Sequence, residues 1–275
     1  RLGGRSPQVV QTEPDPAYQQ VFQQEILAPI VQHYFRGELH GLENLPSTKP
    51  VIVALNHAGM CFPWDFLTLG FLLNQQRGWF VQPLAHPIFF DHPWLVWWLP
   101  PGWAQALGAV RADRHSFELA MSQKAVLLYA PEGWRGLAKG WGHRYQLDTF
   151  DPSFVQLSLR HRTPVLPVIC MGNEYLHPFT VNIRWLANWL HMPLFPVSPL
   201  LLVFILFPSM GVWVVRSRLR YYVQPLWQGW ETETERLTGV TGASNRTQTY
   251  RMAEVLRSHM QATLSGLRST TRHLQ

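Results

Sequence analysis

The sequence predicts an α/β fold of three layers, with a central mostly parallel or mixed sheet flanked by helices. Two observations lead to this prediction. The apolar runs over 125–130 and 164–171 are continuous rather than alternating, which is typical of strands buried on both faces of a parallel sheet. Between residues 51 and 171, segments of strand and helix character alternate, which is the pattern of a layered α/β domain.

The predicted elements follow one another regularly along the chain. The first helix is amphipathic, with large apolar residues about one turn apart from Phe22 to Tyr34, and Pro29 is expected to kink it. Pro63 is expected at or near the start of the second helix, and Asp113 is the expected N-cap of the third. We expect strands over 35–39, 51–55, 78–85, 109–112, 125–130, 164–171 and 218–224, and helices over 17–34, 64–74, 113–123, 151–160 and from 246 onwards.

Composition narrows the class of partner. The 275 residues include 23 Lys and Arg against 17 Asp and Glu, without the basic clusters of a nucleic-acid groove, so we expect no nucleic-acid partner. A net charge of +6, only 15% charged residues and 13 Trp favour an acidic membrane surface or a phosphorylated small molecule. Cys61 and Cys170 are too few for a disulfide framework and have no metal-ligand spacing, which indicates reduced thiols of a cytoplasmic protein.

The chain divides into three predicted parts. Residues 1–16 are polar and are expected to be disordered or loosely attached; no apolar stretch follows their basic residues, so no signal peptide is expected. Residues 17–230 are expected to form a single α/β domain. Residues 231–275 are predicted to be a polar linker and a C-terminal amphipathic helix. That helix has a basic face that could lie on an anionic surface, but we expect it to pack on the sheet.

Two apolar segments bear on membrane association. Residues 193–215 are strongly apolar but are interrupted by prolines and serines, so a monotopic or membrane-lying segment is favoured over a spanning helix or burial. Residues 89–103 carry several Trp and Phe around a Pro-Pro-Gly break. This stretch fits either an aromatic core helix or a surface that faces lipid or an acyl chain.

A histidine and a carboxylate follow the first long strand. His57 comes two residues after the strand over 51–55, and Asp65 is the only carboxylate between Glu43 and Asp91. A His with a nearby carboxylate that orients it is the minimal apparatus of general base catalysis. The pair is therefore the first candidate for an active site.

Arginine residues follow two further strands. Arg111 and Arg114 lie beside the strand over 109–112, and the turn Glu132-Gly133-Trp134-Arg135 follows the strand over 125–130. Because α/β sheets bind ligands at the carboxyl ends of their strands, we expect these groups to share one edge with His57. Arginine binds phosphate through two parallel hydrogen bonds. A histidine base with several arginines therefore favours transfer of a group to a hydroxyl of a phosphate-bearing substrate.

Four short motifs occur in order along the chain. They are Asn56-His57 with Asp65, Gly108-x-Val110-x-x-x-Arg114, Pro131-Glu132-Gly133-Trp134-Arg135 and Thr163-Pro164-Val165-Leu166-Pro167. In order and spacing they resemble the four motifs of the glycerolipid acyltransferases, the superfamily of the lysophosphatidate acyltransferases. The resemblance covers roughly residues 36–225.

The resemblance implies an O-acyltransferase that moves a fatty acyl group from acyl-CoA or acyl-carrier protein to a lysophospholipid or related glycerolipid. His57 would be the general base and Asp65 would hold its imidazole in the correct tautomer. No metal or organic cofactor is implied, because the acyl thioester already carries the activation. The enzyme would work as a peripheral or monotopic protein on the cytoplasmic face of a membrane. The expected substrate-binding residues are Arg111, Arg114, Glu132, Gly133 and Arg135.

Two departures from the family pattern define the alternatives. The family usually separates the His and the Asp by four residues; here seven lie between His57 and Asp65, as in some bacterial branches. Trp134 replaces the usual Thr, which leaves open a neutral acceptor such as diacylglycerol. A third alternative is a non-catalytic, membrane-associated lipid-binding protein on the same scaffold.

Plainer roles are also open for single residues. His57 could be an ordinary hydrogen-bonded residue, and Glu132 could satisfy backbone N–H groups in a turn. Arg114 could pair with Glu118 one turn along its helix, an interaction worth only a few tenths of a kcal/mol. A serine hydrolase is not favoured, because the sequence has no Gly-x-Ser-x-Gly motif.

Overall fold

The computed structural model describes residues 15–58, 63–87, 90, 102–190, 195–200, 203, 206, 214–229 and 246–273. Within them, the strands are β1 Glu38–His40, β2 Val51–Leu55, β3 Val81–Ala85, β4 Val110–Arg111, β5 Val126–Tyr129, β6 Val165–Met171, β7 Val181–Asn182, β8 Pro196–Val197 and β9 Arg220–Val223. The α-helices are α1 Pro16–Val21, α2 Trp64–Arg77, α3 Trp103–Ala106, α4 Arg114–Ser122, α5 Trp134–Ala138, α6 Ser153–His161, α7 Arg184–Trp189 and α8 Arg246–His273.

Seven of these strands form one sheet in the order β1-β9-β6-β2-β5-β3-β4. The strands from β6 to β4 in that order are mutually parallel, whereas β9 runs antiparallel to β6 and β1 runs parallel to β9. The sheet is therefore mixed and mostly parallel, as predicted. β7 and β8 form a separate antiparallel ribbon.

The central strand β2 shows why the fold has three layers. All five of its residues are fully buried, and successive side chains of a strand point to opposite faces of the sheet. Val51, Val53 and Leu55 join a core with α2 and the N-terminal helical segments. Ile52 and Ala54 join a second core with α4, α6 and α8. A continuous apolar run is what a strand covered on both faces requires.

The C-terminal helix α8 packs on the sheet, as predicted. Met252, Leu256, Met260 and Leu264 recur about one turn apart and are all buried in the second core. Its outward face carries polar and charged side chains, so α8 covers one face of the sheet and completes that layer.

The N-terminal helix differs from its prediction. It is α-helical only over Pro16–Val21, and π-helical segments follow over Phe22–Leu27 and Ile30–Phe35, on either side of Pro29. The N–H of Ala28 bonds Gln23 five residues back. Proline has no N–H to donate, and wider hydrogen-bond rings accommodate the break around it.

Several predicted segments lie wholly or largely outside the described residues. These are 1–14, most of 89–103, most of 193–215, and the linker over 231–245. In the parts of the chain with described structure, none of the helices combines the length and the apolar character needed to cross a bilayer.

Candidate active site

The carboxyl ends of three neighbouring strands bring the candidate site together. His57 lies two residues beyond β2, Glu132 three residues beyond β5, and Asn173 two residues beyond β6. These strands are adjacent and parallel in the order β6-β2-β5, so their ends open on the same edge of the sheet. Ligands of open α/β sheets bind at this edge.

His57 and Asp65 are in contact, as the sequence predicted. Nδ1 of His57 lies 2.8 Å from Oδ2 of Asp65. Asp65 lies in the first turn of α2 and is buried, whereas the His57 side chain keeps 12% of its surface exposed. The start of α2 therefore lies beside the end of β2, although seven residues separate His57 from Asp65 in the sequence. Since Nδ1 faces the carboxylate, Nε2 is the ring nitrogen left for a substrate.

Several groups fix the position of the Asp65 carboxylate. Its Oδ1 accepts a hydrogen bond from the N–H of Phe66, and the hydroxyl of the buried Tyr221 donates to the carbonyl oxygen of Asp65 at 2.8 Å. Asn173 Nδ2 lies 3.4 Å from Oδ2. These contacts hold the carboxylate where Oδ2 can accept the Nδ1–H of His57.

The preceding residue, Asn56, ties the end of β2 to β6. It is fully buried, and its amide exchanges two hydrogen bonds with the backbone of Cys170, at 2.6 and 3.1 Å. The Asn173 amide also donates to the Asn56 carbonyl oxygen at 3.3 Å. These bonds fix the backbone that carries His57. Cys170 itself is a fully buried free thiol.

Glu132 supports His57 from the other side. Its carboxylate accepts from the backbone N–H of His57 at 3.3 Å and from that of Asp148 at 2.7 Å, and it lies 3.1 Å from Lys139 Nζ. The Glu132 side chain is completely buried, so its oxygens face protein groups. This geometry favours the structural role left open by the sequence, and the predicted contact of Glu132 with substrate stays a prediction.

Lys139 is the buried counter-ion of Glu132 and Glu174. Its Nζ lies 3.6 Å from Glu174, and all three side chains are almost fully buried. Burial opposes the charge of Lys139, but the two carboxylates outweigh it and raise the pKa of the ammonium. For Glu174, burial outweighs the attraction of Lys139 and raises the pKa of the carboxyl. We call Glu132, Lys139 and Glu174 the buried charge triad.

Gly136 allows the triad to approach the histidine. A Cβ atom at this position would lie 2.6 Å from the carbonyl oxygen of His57 and 3.1 Å from the Cβ of Glu132. Such distances are too short for a side chain, so a glycine is needed where the first turn of α5 passes beneath the end of β2.

The predicted substrate-binding arginines lie on the edge strand β4 and on the helices α4 and α5. Arg111 ends the edge strand β4, and its guanidinium stacks over the ring of Phe90 at 4.9 Å from the ring centroid. Arg114 begins α4, three residues beyond Arg111. Gly133 lies at the N-terminus of α5 with a φ of 55°, and Arg135 on that helix donates to the carbonyl oxygen of Thr149 at 3.1 Å. Their contact with substrate stays a prediction.

Comparison with known proteins bears on this arrangement. Residues 36–171, which include all four motifs, match the family model described as Acyltransferase. This chain belongs to the acyltransferase family. It is also similar to an uncharacterized protein of Mycobacterium tuberculosis (30% identity over 189 residues) and to one of Mycobacterium leprae (32% over 191), with 68% of this chain covered in each case. The chain spans about half the length of these relatives, 51% and 50%.

A solved structure supports the same architecture for this acyltransferase-family chain. The 1-acyl-sn-glycerophosphate (LPA) acyltransferase PlsC from Thermotoga maritima matches with a TM-score of 0.50 and 14% identity, over 91% of this chain and 81% of that chain. At this identity the likeness concerns the fold. The predicted acyltransferase-like α/β architecture is therefore confirmed.

An apolar groove runs beside the acyltransferase-family site. It is small and partly open to solvent, and it lies between the N-terminal helical segments, α2 and β3. The Phe66 ring lines this groove and also packs edge-on against the His57 ring, with the centroids 4.8 Å apart. Phe66 therefore contacts both the groove and the imidazole. Other lining residues are Phe22, Leu27, Phe71, Val81 and Leu107.

Sequence reasoning missed the residues that support the two catalytic candidates. None of these supporting residues was expected to have a role in the site. They are Asn173, Lys139, Glu174, Tyr221 and Gly136. Only weak signals were present: Asn173 and Glu174 follow a buried strand, and Lys139 is seven residues from Glu132. The contacts of Asn173 and Tyr221 with Asp65 join residues 108 and 156 positions apart, which local sequence patterns do not reveal.

Proposed function

We propose that this chain is a glycerolipid O-acyltransferase that moves a fatty acyl group from an acyl thioester to the hydroxyl of a lysophospholipid or related glycerolipid. One observation carries the proposal: the His57–Asp65 contact of 2.8 Å lies beside an apolar groove, at the ligand-binding edge of an acyltransferase-family sheet. A base next to an apolar groove suits a reaction between a hydroxyl and a lipid thioester.

The proposed reaction has two stages. His57 Nε2 takes the proton from the acceptor hydroxyl as its oxygen attacks the thioester carbonyl carbon; the new C–O bond forms and the carbonyl oxygen becomes an oxyanion. The oxyanion then collapses and the C–S bond breaks. The proton on His57 passes to the leaving sulfur, so a thiol departs and the imidazole is neutral again. Asp65 stabilises the imidazolium between the two stages. Because the thioester is already activated, we infer that no metal or organic cofactor is needed.

The partners follow from the same proposal. The acyl donor is acyl-CoA or acyl-carrier protein, and the groove beside Phe66 is the expected place of the acyl chain. A lysophosphatidate-type acceptor is favoured by Arg114 and Arg135, and by the likeness in fold to an LPA acyltransferase. We infer that the protein works at the cytoplasmic face of a membrane as a peripheral or monotopic protein.

A neutral acceptor is the second candidate, and Trp134 is the observation that favours it. Trp134 takes the place of the usual threonine of the third motif and is 47% exposed. An exposed indole beside the site adds apolar surface for a lipophilic alcohol such as diacylglycerol. A non-catalytic lipid-binding protein is the third candidate. The ordered His57–Asp65 contact argues against it, since lipid binding does not need an oriented imidazole.

An acyl-transfer assay tests the proposal. Acyl-CoA and acyl-carrier protein are each offered with lysophosphatidate, another lysophospholipid and diacylglycerol. We expect turnover of at least one pair, and His57→Ala should lower kcat about 10²- to 10⁴-fold because the general base is lost. His259→Ala is the matched control, since His259 is exposed on α8. Full activity of His57→Ala would refute the mechanism, and absence of turnover with every pair would favour the lipid-binding protein.

A further inference from the structure

An exposed aromatic surface follows the active-site strand β6. It consists of Phe179, Val181, Trp185 and Trp189, each more than 60% exposed. Trp185 and Trp189 are four residues apart on α7 and therefore lie on the same face of that helix. Two Trp side chains with 71% of their surface exposed are unusual, because folding normally buries much of an indole. We call these four residues the aromatic surface.

The local fold presents this surface rather than hiding it. In the chain, α7 lies between the two paired strands β7 and β8. The N–H of Ile183 donates to the carbonyl oxygen of Phe195 at 2.9 Å. Within α7 only Ala187 is buried. Phe179 has a φ of 58°, a left-handed conformation that bulky side chains rarely adopt, yet 64% of the side chain is exposed.

The base of the aromatic surface touches the active-site edge. The ring of Trp141 packs against those of Tyr175 and Phe179, at centroid distances of 5.6 and 5.1 Å. Tyr175 directly follows Glu174 of the buried charge triad, and Trp141 follows Lys139 by two residues. The aromatic surface and the His57 site are therefore built on the same strand ends.

Two arginines belong to the segments that carry the aromatic surface. Arg184 is exposed at the start of α7. Arg144 stacks over the Trp141 ring at 3.7 Å, and its Nε and Nη1 are buried and meet no acceptor in the described part of the chain. The guanidinium places a positive charge at the base of the aromatic surface.

We propose that the aromatic surface, with Arg144 at its base, docks this protein onto an anionic lipid bilayer. Trp is the side chain that best fits the boundary between headgroups and acyl chains, and Arg binds the phosphates of the headgroups. The bilayer then lies next to the edge of the sheet that carries His57, which shortens the path of a lipid acceptor. The inference deepens the proposed function by naming the surface through which the site meets its membrane.

Co-flotation of the full chain with liposomes tests the docking. Vesicles of phosphatidylcholine alone are compared with vesicles in which part of it is replaced by phosphatidylglycerol. We expect Trp185→Ser with Trp189→Ser to weaken binding about tenfold or more, because two indoles no longer leave water. Arg144→Gln should weaken binding about fivefold, on the anionic vesicles alone. Trp185→Phe with Trp189→Phe should retain most of the binding.

The control removes apolar surface elsewhere. Tyr250→Ser with Val255→Ser changes two exposed residues of α8 and should leave flotation unchanged. Circular dichroism checks that every variant is folded. Equal flotation of the Trp185 and Trp189 double variant and the wild type would overturn the docking, as would failure of the wild type to float. A change in oligomeric state of that variant with flotation intact would also overturn it and assign the surface to protein contacts.

Failure of the docking and failure of the proposed function are distinguishable. Turnover of a short-chain thioester and a water-soluble acceptor needs no bilayer, and the aromatic-surface variants should keep it at the wild-type rate. Loss of flotation with this turnover kept supports both proposals. If the wild type floats but turns over no substrate, the docking proposal is supported and the proposed enzymatic function is refuted.

Discussion

The two sides of the candidate site are built differently. On one side, His57 and Glu132 follow the adjacent strands β2 and β5, and Asp65 lies in the first turn of α2. Several hydrogen bonds hold all three in place. On the other side, Arg111 ends β4, a two-residue strand at the edge of the sheet, and Arg114 lies three residues further on. β4 is three strands from β2, about 14 Å at 4.8 Å per strand.

This difference indicates that proton transfer and binding of the acceptor are carried out by different parts of the sheet. The base is held before any substrate arrives, as catalysis by a preorganised group requires. Because β4 is three strands from β2, we expect the arginines to act on a part of the acceptor distant from the reacting hydroxyl. We therefore expect changes on the β2 side to lower kcat and changes on the β4 side to raise KM.

The largest effect is expected from Asp65→Asn. The amide has the size of the carboxylate, but its NH₂ group cannot accept the Nδ1–H of His57, so the imidazole takes the wrong tautomer. A decrease in kcat of about 10⁴-fold is expected, by analogy with the serine-protease triad. Steady-state kinetics measures it.

The control for Asp65→Asn is Asp15→Asn. Asp15 caps α1 at an exposed position where asparagine caps equally well. The kinetics of the control should equal those of the wild type. Wild-type kcat in Asp65→Asn would show that the 2.8 Å contact has no part in the reaction.

The buried charge triad gives the second prediction. Lys139→Met leaves the carboxylates of Glu132 and Glu174 buried without a counter-ion, which should lower the free energy of unfolding by about 3–5 kcal/mol. Because Glu132 accepts from the His57 N–H, kcat should fall while KM stays the same. Urea denaturation and steady-state kinetics measure the two effects.

Two further variants isolate the charge. Lys124→Met removes an exposed ammonium and should change neither quantity. Adding Glu174→Gln to Lys139→Met removes one of the two uncompensated carboxylates and should restore part of the lost stability. If the double variant were less stable than Lys139→Met, the triad would not be held together by charge.

The parts of this structure that could be predicted from sequence are local ones. β2, β5 and β6 are continuous apolar runs, and their strand ends, with His57, are visible in the sequence. The contact with Asp65 was predicted because both residues flank one loop. The match with the family over 36–171 confirms the resemblance that the motifs indicated.

The supporting groups could not be predicted because they depend on the order of the strands. Tyr221 reaches Asp65 only because β9, after a return of the chain, pairs antiparallel with β6. Asn173 reaches Asp65 because β6 lies beside β2, although 108 residues separate the two. The same applies to the arginines: sequence placed Arg114 after a strand, but only the sheet order shows that this strand is at the edge.

The smallest effect, and the one that decides between acceptors, is expected from Arg114→Ala. A charge-assisted hydrogen bond to phosphate contributes about 1.5–3 kcal/mol, so KM for lysophosphatidate should rise about 10- to 100-fold with kcat nearly unchanged. Turnover of diacylglycerol, which has no phosphate, should not change.

Arg160→Ala is the matched control, since Arg160 pairs with Glu118, which lies on the same helix as Arg114. Equal KM values for the wild type and Arg114→Ala would remove Arg114 from acceptor binding. Arg111 and Arg135 would then be the candidates for the phosphate ligand, and Arg135 follows β5, the strand next to β2. If Arg135→Ala also left KM unchanged, a neutral alcohol held near Trp134 would be the better acceptor.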